Sequence, residues 1–424
     1  MSIYSKKAWR PQLERMVREA RIASTEASQW TSDFKKRLLL DIASRIESKT
    51  KWLVSENAKD LRNAKAAGLS SAMIDRLTLD EKRIRAMANG VRAVAGLRDP
   101  IGAVQARWIR PNGLKIQKVT VPLGVIFIIY ESRPNVTVEC ASLCLKSSNV
   151  VILRGGREAM ASNKALVQLF HQSLAKYRVS PRLVNLVQTV DYDAVDFLLE
   201  KEGLIDLVIP RGGEKLIRRV VANSHIPVVK HYQGICHVFI DKKADMKKAV
   251  SIAANAKLQR PGVCNAMETL LVHKDIAAKF LPKVGEALVR GGCEIRGDGT
   301  TCRFIPFAKR AKLNDYGHEF LDKILAIKVV KDLEEAIRHI GTHGSGHTDA
   351  IVTENEKTAD AFKKRVDSSS VMVNASTRFS DGFEYGFGAE IGISTDKIHA
   401  RGPMGLEGLT SYKYIVEGHG QIRT

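Results

Sequence analysis

Two hydrophobic rhythms divide this chain. Up to about residue 100 the apolar positions recur every three to four residues, as Leu39, Ile42, Ala43 and Ile46 do. That spacing lines one face of a helix. From residue 120 the apolar residues come as short unbroken runs. Val125-Ile126-Phe127-Ile128-Ile129, Val150-Val151-Ile152-Leu153, Leu183-Val184-Asn185-Leu186-Val187 and Leu204-Ile205-Asp206-Leu207-Val208-Ile209 read as strands covered on both faces. Helical stretches at 158–176 and 193–202 separate them, and another opens after Gly213. After Pro227 the alternation resumes, with strands expected at 237–241, 325–330, 349–353 and 371–374 and helices at 246–256, 333–340 and 357–366. Strands alternating with helices build parallel, doubly wound sheets. The expected fold class is therefore α/β, with two such domains. Two segments, 105–119 and the tail after 396, fit neither domain. The tail carries Tyr412, Tyr414 and Val416 at strand alternation, so the pair reads as a small β flap that supports oligomer contacts.

Length agrees, since 424 residues exceed what one core ordinarily organises. No apolar run approaches the roughly 18 residues that span a bilayer. The polar, charged start lacks the apolar centre of a secretory signal. A cytoplasmic protein with no membrane partner is expected. The six cysteines, at 140, 144, 236, 264, 293 and 302, include no CxxC pair. No metal site is expected, and the thiols read as reduced. A net charge of +21 invites a nucleic-acid reading. However, the basic residues are dispersed, and only 6% of residues are aromatic, which leaves few platforms for base stacking. The charge reads as a basic surface that steers anionic small molecules, with no nucleic-acid partner.

Candidate chemistry sits in two places. The glycine pairs Gly155-Gly156 and Gly212-Gly213 follow expected strands and precede helices. Ligands of parallel sheets gather at such strand ends, and free helix amides hold phosphate. Neither pair makes a GxGxxG fingerprint, and ordinary turns use the same residues. The second place is Arg260-Pro-Gly-Val-Cys-Asn-Ala-Met-Glu-Thr269. Small residues around Cys264 leave room for a carbonyl to approach a thiol, and Asn265 adds an amide beside it. A buried small hydrophobe is the competing account of any one cysteine.

Longer motifs carry a resemblance. They are Val121-Pro-Leu-Gly-Val125, Tyr130-Glu-Ser-Arg-Pro-Asn-Val-Thr137, Leu145-Lys146-Ser147 and Asn149-Val-Val-Ile-Leu-Arg-Gly-Gly156. The cysteine segment, Gly388-Ala-Glu-Ile-Gly-Ile-Ser-Thr-Asp396 and His399-Ala-Arg-Gly-Pro-Met-Gly-Leu-Glu-Gly408 complete the set. With these the chain resembles the gamma-glutamyl phosphate reductases, a branch of the aldehyde dehydrogenase superfamily. The resemblance implies NADPH-dependent reduction of L-glutamyl 5-phosphate to glutamate 5-semialdehyde with release of phosphate, the second step of proline synthesis from glutamate. It also implies a homo-oligomer of two or four chains, and a transient contact with the glutamate 5-kinase that makes the acyl phosphate. An NADPH-binding domain is then expected over 1–104 and 120–232, and a catalytic domain over 233–395. The oligomerisation flap is expected over 105–119 and 396–424.

Residue by residue, Cys264 matches the family nucleophile, and Asn135 the asparagine whose amide helps form the oxyanion hole. Lys146 matches the lysine at the adenine ribose. Asn149 stands where NAD-preferring relatives carry a glutamate, so no carboxylate there repels a 2′-phosphate. Arg154, Gly212 and Gly213 are further cofactor candidates, and Glu319 matches the glutamate at the nicotinamide ribose. Arg133 and Arg378 are candidates for the substrate's anionic groups. Hydrolytic relatives place a glutamate base where this chain reads His231-Tyr-Gln-Gly-Ile-Cys-His237, so nothing in that stretch activates water against a thioester. An acylating dehydrogenase that uses coenzyme A is the rival enzyme.

Overall fold

The computed structural model describes residues 8–423 and divides into two compact units. The first takes the described residues up to Lys230, Phe387–Gly392 and those from Met404 onward, and the second takes His231–Gly386 and Ile393–Pro403. The tail after 396 is thus shared between the two units.

The first unit opens with five helices, Arg10–Ala27, Ser32–Ser48, Thr50–Ala66, Ser71–Leu77 and Glu81–Gly96. Thr31, Ser70 and Asp80 cap three of them by accepting a hydrogen bond from an amide of the first turn. A hairpin of β1 (Val104–Ile109) and β2 (Lys115–Pro122) leads into β3 (Val125–Tyr130), whose six residues are all buried. The helix Pro134–Lys146 returns the chain to β4 (Val150–Arg154), and Met160–Lys176 leads on to β5 (Val184–Leu186). Asp193–Leu199 precedes β6 (Leu207–Arg211), and Glu214–Asn223 follows it. The four strands lie in the order β5-β4-β3-β6, all parallel.

The second unit is a seven-stranded sheet, parallel throughout. It consists of β7 (Cys236–Ile240), β8 (Met267–His273), β9 (Glu294–Gly297), β10 (Lys309–Arg310), β11 (Ile324–Val330), β12 (Thr348–Val352) and β13 (Ser370–Val373). Their order is β10-β9-β11-β8-β7-β12-β13. Side chains alternate between two cores. Val238, Ile240, Leu270 and Val272 pack on one face with residues of the helices Met246–Leu258 and Lys274–Arg290. Phe239, Leu271 and Ile351 pack on the other with Ala336, Ile340 and Phe362. Burial on both faces is why these strands read as unbroken apolar runs. The run is broken in β8, where Glu268 and Thr269 are buried polar residues. The expectations gave no bounds for this strand and omitted the helix Lys274–Arg290 and the short strands β9 and β10.

A short pair, β14 (Ile393–Ser394) and β15 (Gly402–Pro403), completes this unit. The last strand, β16 (Thr410–Glu417), belongs to the first unit and pairs antiparallel with β2 along its whole length. The two sequence-distant β segments therefore share one three-stranded sheet. All of β1 and all but Thr410 of β16 are exposed.

Candidate active site

Cys264 lies in the turn between the helix Met246–Leu258 and β8, at the amino-terminal edge of the second unit's sheet. Ligands of parallel sheets more often gather at the opposite edge. Here the loop entering β7 packs on the turn that holds the thiol. The closest approach is from Gly234, just before β7. A Cβ on Gly234 would fall 2.1 Å from the Cys264 carbonyl oxygen and 2.5 Å from its Cα and Cβ. Only a residue without a side chain fits. The Cys236 thiol donates to the Cys264 carbonyl at 3.2 Å and lies 3.7 Å from His347 Nδ1. Asn265 Nδ2 donates to the Ser380 carbonyl at 2.8 Å and reaches the Arg378 carbonyl at 3.5 Å. The nucleophile turn is thus held on both sides by backbone contacts.

Accessibility separates this thiol from most of the others. Cys140, Cys144, Cys236 and Cys293 are buried. Burial pushes Cys140 and Cys293 up to about 12, and Cys144 and Cys236 well above the ordinary thiol range. Cys302 is half-buried, but its sulfur lies against the carbonyls of Gly297, Ala308 and Lys309. Cys264 is half-buried and close enough to Arg378 to interact with its charge. Burial and the adjacent Arg260 hold the Arg378 guanidinium below the usual arginine range, while Asp381, Cys264 and Cys236 favour its charge. Arg378 Nε donates to Gln259 Oε1 at 2.9 Å. Glu319 Oε1 accepts the Gly234 amide at 2.9 Å. Glu268, four residues past the thiol, is fully buried against Lys257 at 2.6 Å.

In the first unit the candidate residues divide between two edges of the sheet. Arg154 ends β4 at the carboxyl edge, mostly buried, with Nη1 on the Gly155 carbonyl at 3.1 Å and Nη2 on the Val190 carbonyl at 3.3 Å. Its guanidinium lies 4.9 Å from the Tyr192 ring centre, and Arg219 lies 5.0 Å from the same ring. Arg154 Nε is buried with no hydrogen-bond partner. Gly213 caps the helix Glu214–Asn223, and its amide donates to Glu131 Oε1 at 2.9 Å. Arg133 and Asn135 stand at the start of the helix Pro134–Lys146, with Asn135 Nδ2 donating to Glu139 Oε1 at 2.9 Å.

The profile of the aldehyde dehydrogenase family matches residues 3–292. A gamma-glutamyl phosphate reductase of Desulfatibacillum aliphaticivorans is 55% identical over 96% of this chain and 98% of its own length. That of Carboxydothermus hydrogenoformans is 54% identical, with the same coverage. The chain belongs to the gamma-glutamyl phosphate reductase branch of the aldehyde dehydrogenase family. The crystal structure of a gamma-glutamyl phosphate reductase from Thermotoga maritima superposes with a TM-score of 0.95 at 44% identity, over 97% of this chain and all of that one. An acetylating aldehyde dehydrogenase from Geobacillus thermoglucosidasius shares the fold, with a TM-score of 0.68 at 15% identity. Enzymes of this family use a nicotinamide cofactor, and a guanidinium beside an aromatic ring at a strand's carboxyl end, with its Nε unpartnered, suits a nucleotide.

One expectation drawn from the family is corrected. Lys146 ends the helix that runs back to the amino edge of the sheet, opposite Arg154. It is 1% exposed, and its ammonium donates to the Ala95 carbonyl at 3.0 Å. A group buried there cannot hold a ribose at the carboxyl edge. Asn149 is structural too. Its amide accepts from Gly124 N and donates to the Leu409 carbonyl, both at 2.8 Å. Its lack of charge therefore gives no information about a 2′-phosphate. The expectations also passed over Gly234, Gln259 and Arg260. Arg260 opens the cysteine's own motif and Gln259 immediately precedes it, and that proximity was the available signal.

Proposed function

We propose that this protein reduces L-glutamyl 5-phosphate to L-glutamate 5-semialdehyde and phosphate, through a thioester on Cys264. The observation that carries this reading is the half-buried Cys264, held in a backbone-clamped turn beside cationic side chains. The thiolate attacks the acyl carbon, the carbon–oxygen bond to phosphate breaks, and phosphate departs with its electron pair. A reduced nicotinamide cofactor, when bound, would supply the hydride that the thioester carbonyl accepts. Collapse of the resulting hemithioacetal breaks the carbon–sulfur bond, freeing the aldehyde and restoring the thiolate. The Asn135 amide is assigned to the carbonyl oxygen as negative charge develops there. Glu319, oriented by the Gly234 amide, is assigned to the nicotinamide ribose.

The stretch from His231 to His237, whose Gly234 packs on Cys264, contains no carboxylate to activate water. The thioester is thereby left for hydride. NADPH is the assigned form of the cofactor. Arg154 and Arg219 flank Tyr192, a setting suited to a ribose 2′-phosphate, although Arg219 also pairs with Asp196 at 2.8 Å. Gly212 and Gly213 are retained as backbone neighbours of that nucleotide, and Arg133 as a further anion ligand. The exposed sheet of β1, β2 and β16, carrying Trp108, Tyr412 and Tyr414, is assigned to contact with a second copy of the chain. A cytoplasmic location and transient contact with glutamate 5-kinase complete the reading.

The test runs the reaction backwards, following NADP reduction by glutamate semialdehyde with phosphate or with coenzyme A. Phosphate dependence that vanishes in a folded Cys264→Ala variant is expected. Activity retained in that variant, or a requirement for coenzyme A, would sink the assignment.

A further inference from the structure

Two guanidiniums near the nucleophile form no salt bridge with any described residue. Arg260 makes no hydrogen bond or ion pair with any described residue. Arg378 makes one side-chain bond, Nε to Gln259 Oε1 at 2.9 Å, and both its terminal nitrogens are free among the described residues. Gln259 is the chain neighbour of Arg260, so this bond ties the two arginines together. From the other side, Asn265 grips the backbone of 378–380 while sitting next to Cys264. The nearby carboxylate, Asp381, is engaged by the amides of Phe383 at 2.9 Å and Glu384 at 3.4 Å, and it forms no salt bridge with either arginine. Elsewhere in the chain arginines commonly find carboxylates, as Arg21 does with Asp206 at 2.6 Å and Arg296 with Asp315 at 2.8 Å. Two like charges held together with no salt-bridged carboxylate repel each other, a bound anion relieves that repulsion, and planar guanidiniums match phosphate oxygens bidentately.

We propose that Arg260 and Arg378 form the leaving-group site, binding the phosphoryl group of the acyl phosphate, and that the substrate's α-carboxylate binds elsewhere. This rests on the function proposed above. The phosphoryl group hangs from the carbon that Cys264 attacks, so its oxygens must lie close to the sulfur. Only arginines in the immediate neighbourhood of that sulfur can follow the charge as the carbon–oxygen bond breaks. The electron pair of that bond passes to the phosphate oxygen, where two fixed positive charges receive it. In reverse, the same pair holds inorganic phosphate for attack on the thioester. Gln259 is then a positioning residue that aims Arg378.

The experiment uses the full chain and compares wild type with Arg260→Gln and Arg378→Gln. In the oxidative direction, the KM for phosphate is expected to rise at least tenfold in each variant, while the KM for glutamate semialdehyde changes less than threefold. Independently of turnover, inorganic phosphate should slow alkylation of Cys264 by iodoacetamide in the wild type. The half-protecting concentration should rise by a similar factor in the variants. A selective rise in the semialdehyde KM would overturn the proposal by placing the carboxylate at these arginines. Phosphate protection identical in wild type and variants would overturn it too, whether or not the variants turn over. A wild-type enzyme that works with coenzyme A and ignores phosphate would instead defeat the proposed function itself.

Discussion

Gly234 and Cys264 touch backbone to backbone, so closely that a methyl group on Gly234 would overlap the Cys264 carbonyl oxygen at 2.1 Å. The nucleophile turn is pressed against the strand-entry loop of β7, and no flexible side-chain tip is available to yield. Gly234→Ala is therefore expected to displace Cys264 by a fraction of an ångström to an ångström. Misplacement on that scale costs roughly 100-fold in rate, and the overlap costs about 1–3 kcal/mol in stability. Steady-state kinetics alongside urea unfolding check both, and a fully active variant would show that the turn tolerates displacement.

Asn149 joins three segments of the first unit through its side chain: the loop before β3, the turn before β4 and the Leu409 carbonyl. Asn149→Ala strands the Gly124 amide and the Leu409 carbonyl without partners. Each buried orphan costs about 1–3 kcal/mol, so a loss of about 2–4 kcal/mol is expected. The ratio of kcat/KM for NADPH over NADH should stay unchanged. A shift in that ratio would return Asn149 to the cofactor.

Lys257 and Glu268 form an ion pair 2.6 Å long with both side chains fully buried, beneath the cysteine turn. Burial raises the Glu268 carboxyl to about 7 despite the attraction of Lys257. Removing one partner leaves an isolated buried charge, so Lys257→Met or Glu268→Leu alone should cost about 3–5 kcal/mol. The double variant should recover most of that loss, because desolvation of both ions disappears together with their attraction. A double-mutant cycle by denaturant unfolding measures this. Additive losses would mean the two side chains act separately.

Two buried histidines set an acid limit on stability. Burial, reinforced by His237 and His343, holds His339 down to about 2. Burial, reinforced by His231, holds His347 down to about 3. An unfolded histidine takes its proton near pH 6.5. Between that pH and the folded values the unfolded chain binds more protons, so stability falls as pH drops and is unaffected above it. Each histidine contributes a slope of about 1.4 kcal/mol per pH unit. Urea midpoints at several pH values below 6.5 should show this loss, with a shallower slope in His339→Gln. An unchanged slope would mean that His339 is protonated in the native protein.

Much of the fold was legible because a strand buried on both faces writes itself as an unbroken apolar run. Val125–Tyr130 and Val150–Arg154 did so. The strand that follows the cysteine turn was harder to bound, because Glu268 and Thr269 interrupt its run with polar side chains that only tertiary partners satisfy. The lysine at 146 shows the limit of motif reading. A motif places residues along the chain, but which edge of a sheet each one reaches depends on where the intervening helix ends.

The sequence by itself determined the α/β alternation, the family, the thiol at 264 and a 231–237 stretch without a carboxylate. These are local properties of spacing and residue type. Only the tertiary structure decided that the thiol sits at the amino edge of its sheet, that Lys146 and Asn149 are structural, and that two arginines near the nucleophile form no salt bridge among the described residues. Each of these turns on residues far apart in the chain, and no local pattern encodes which distant carboxylate or carbonyl a buried cation meets.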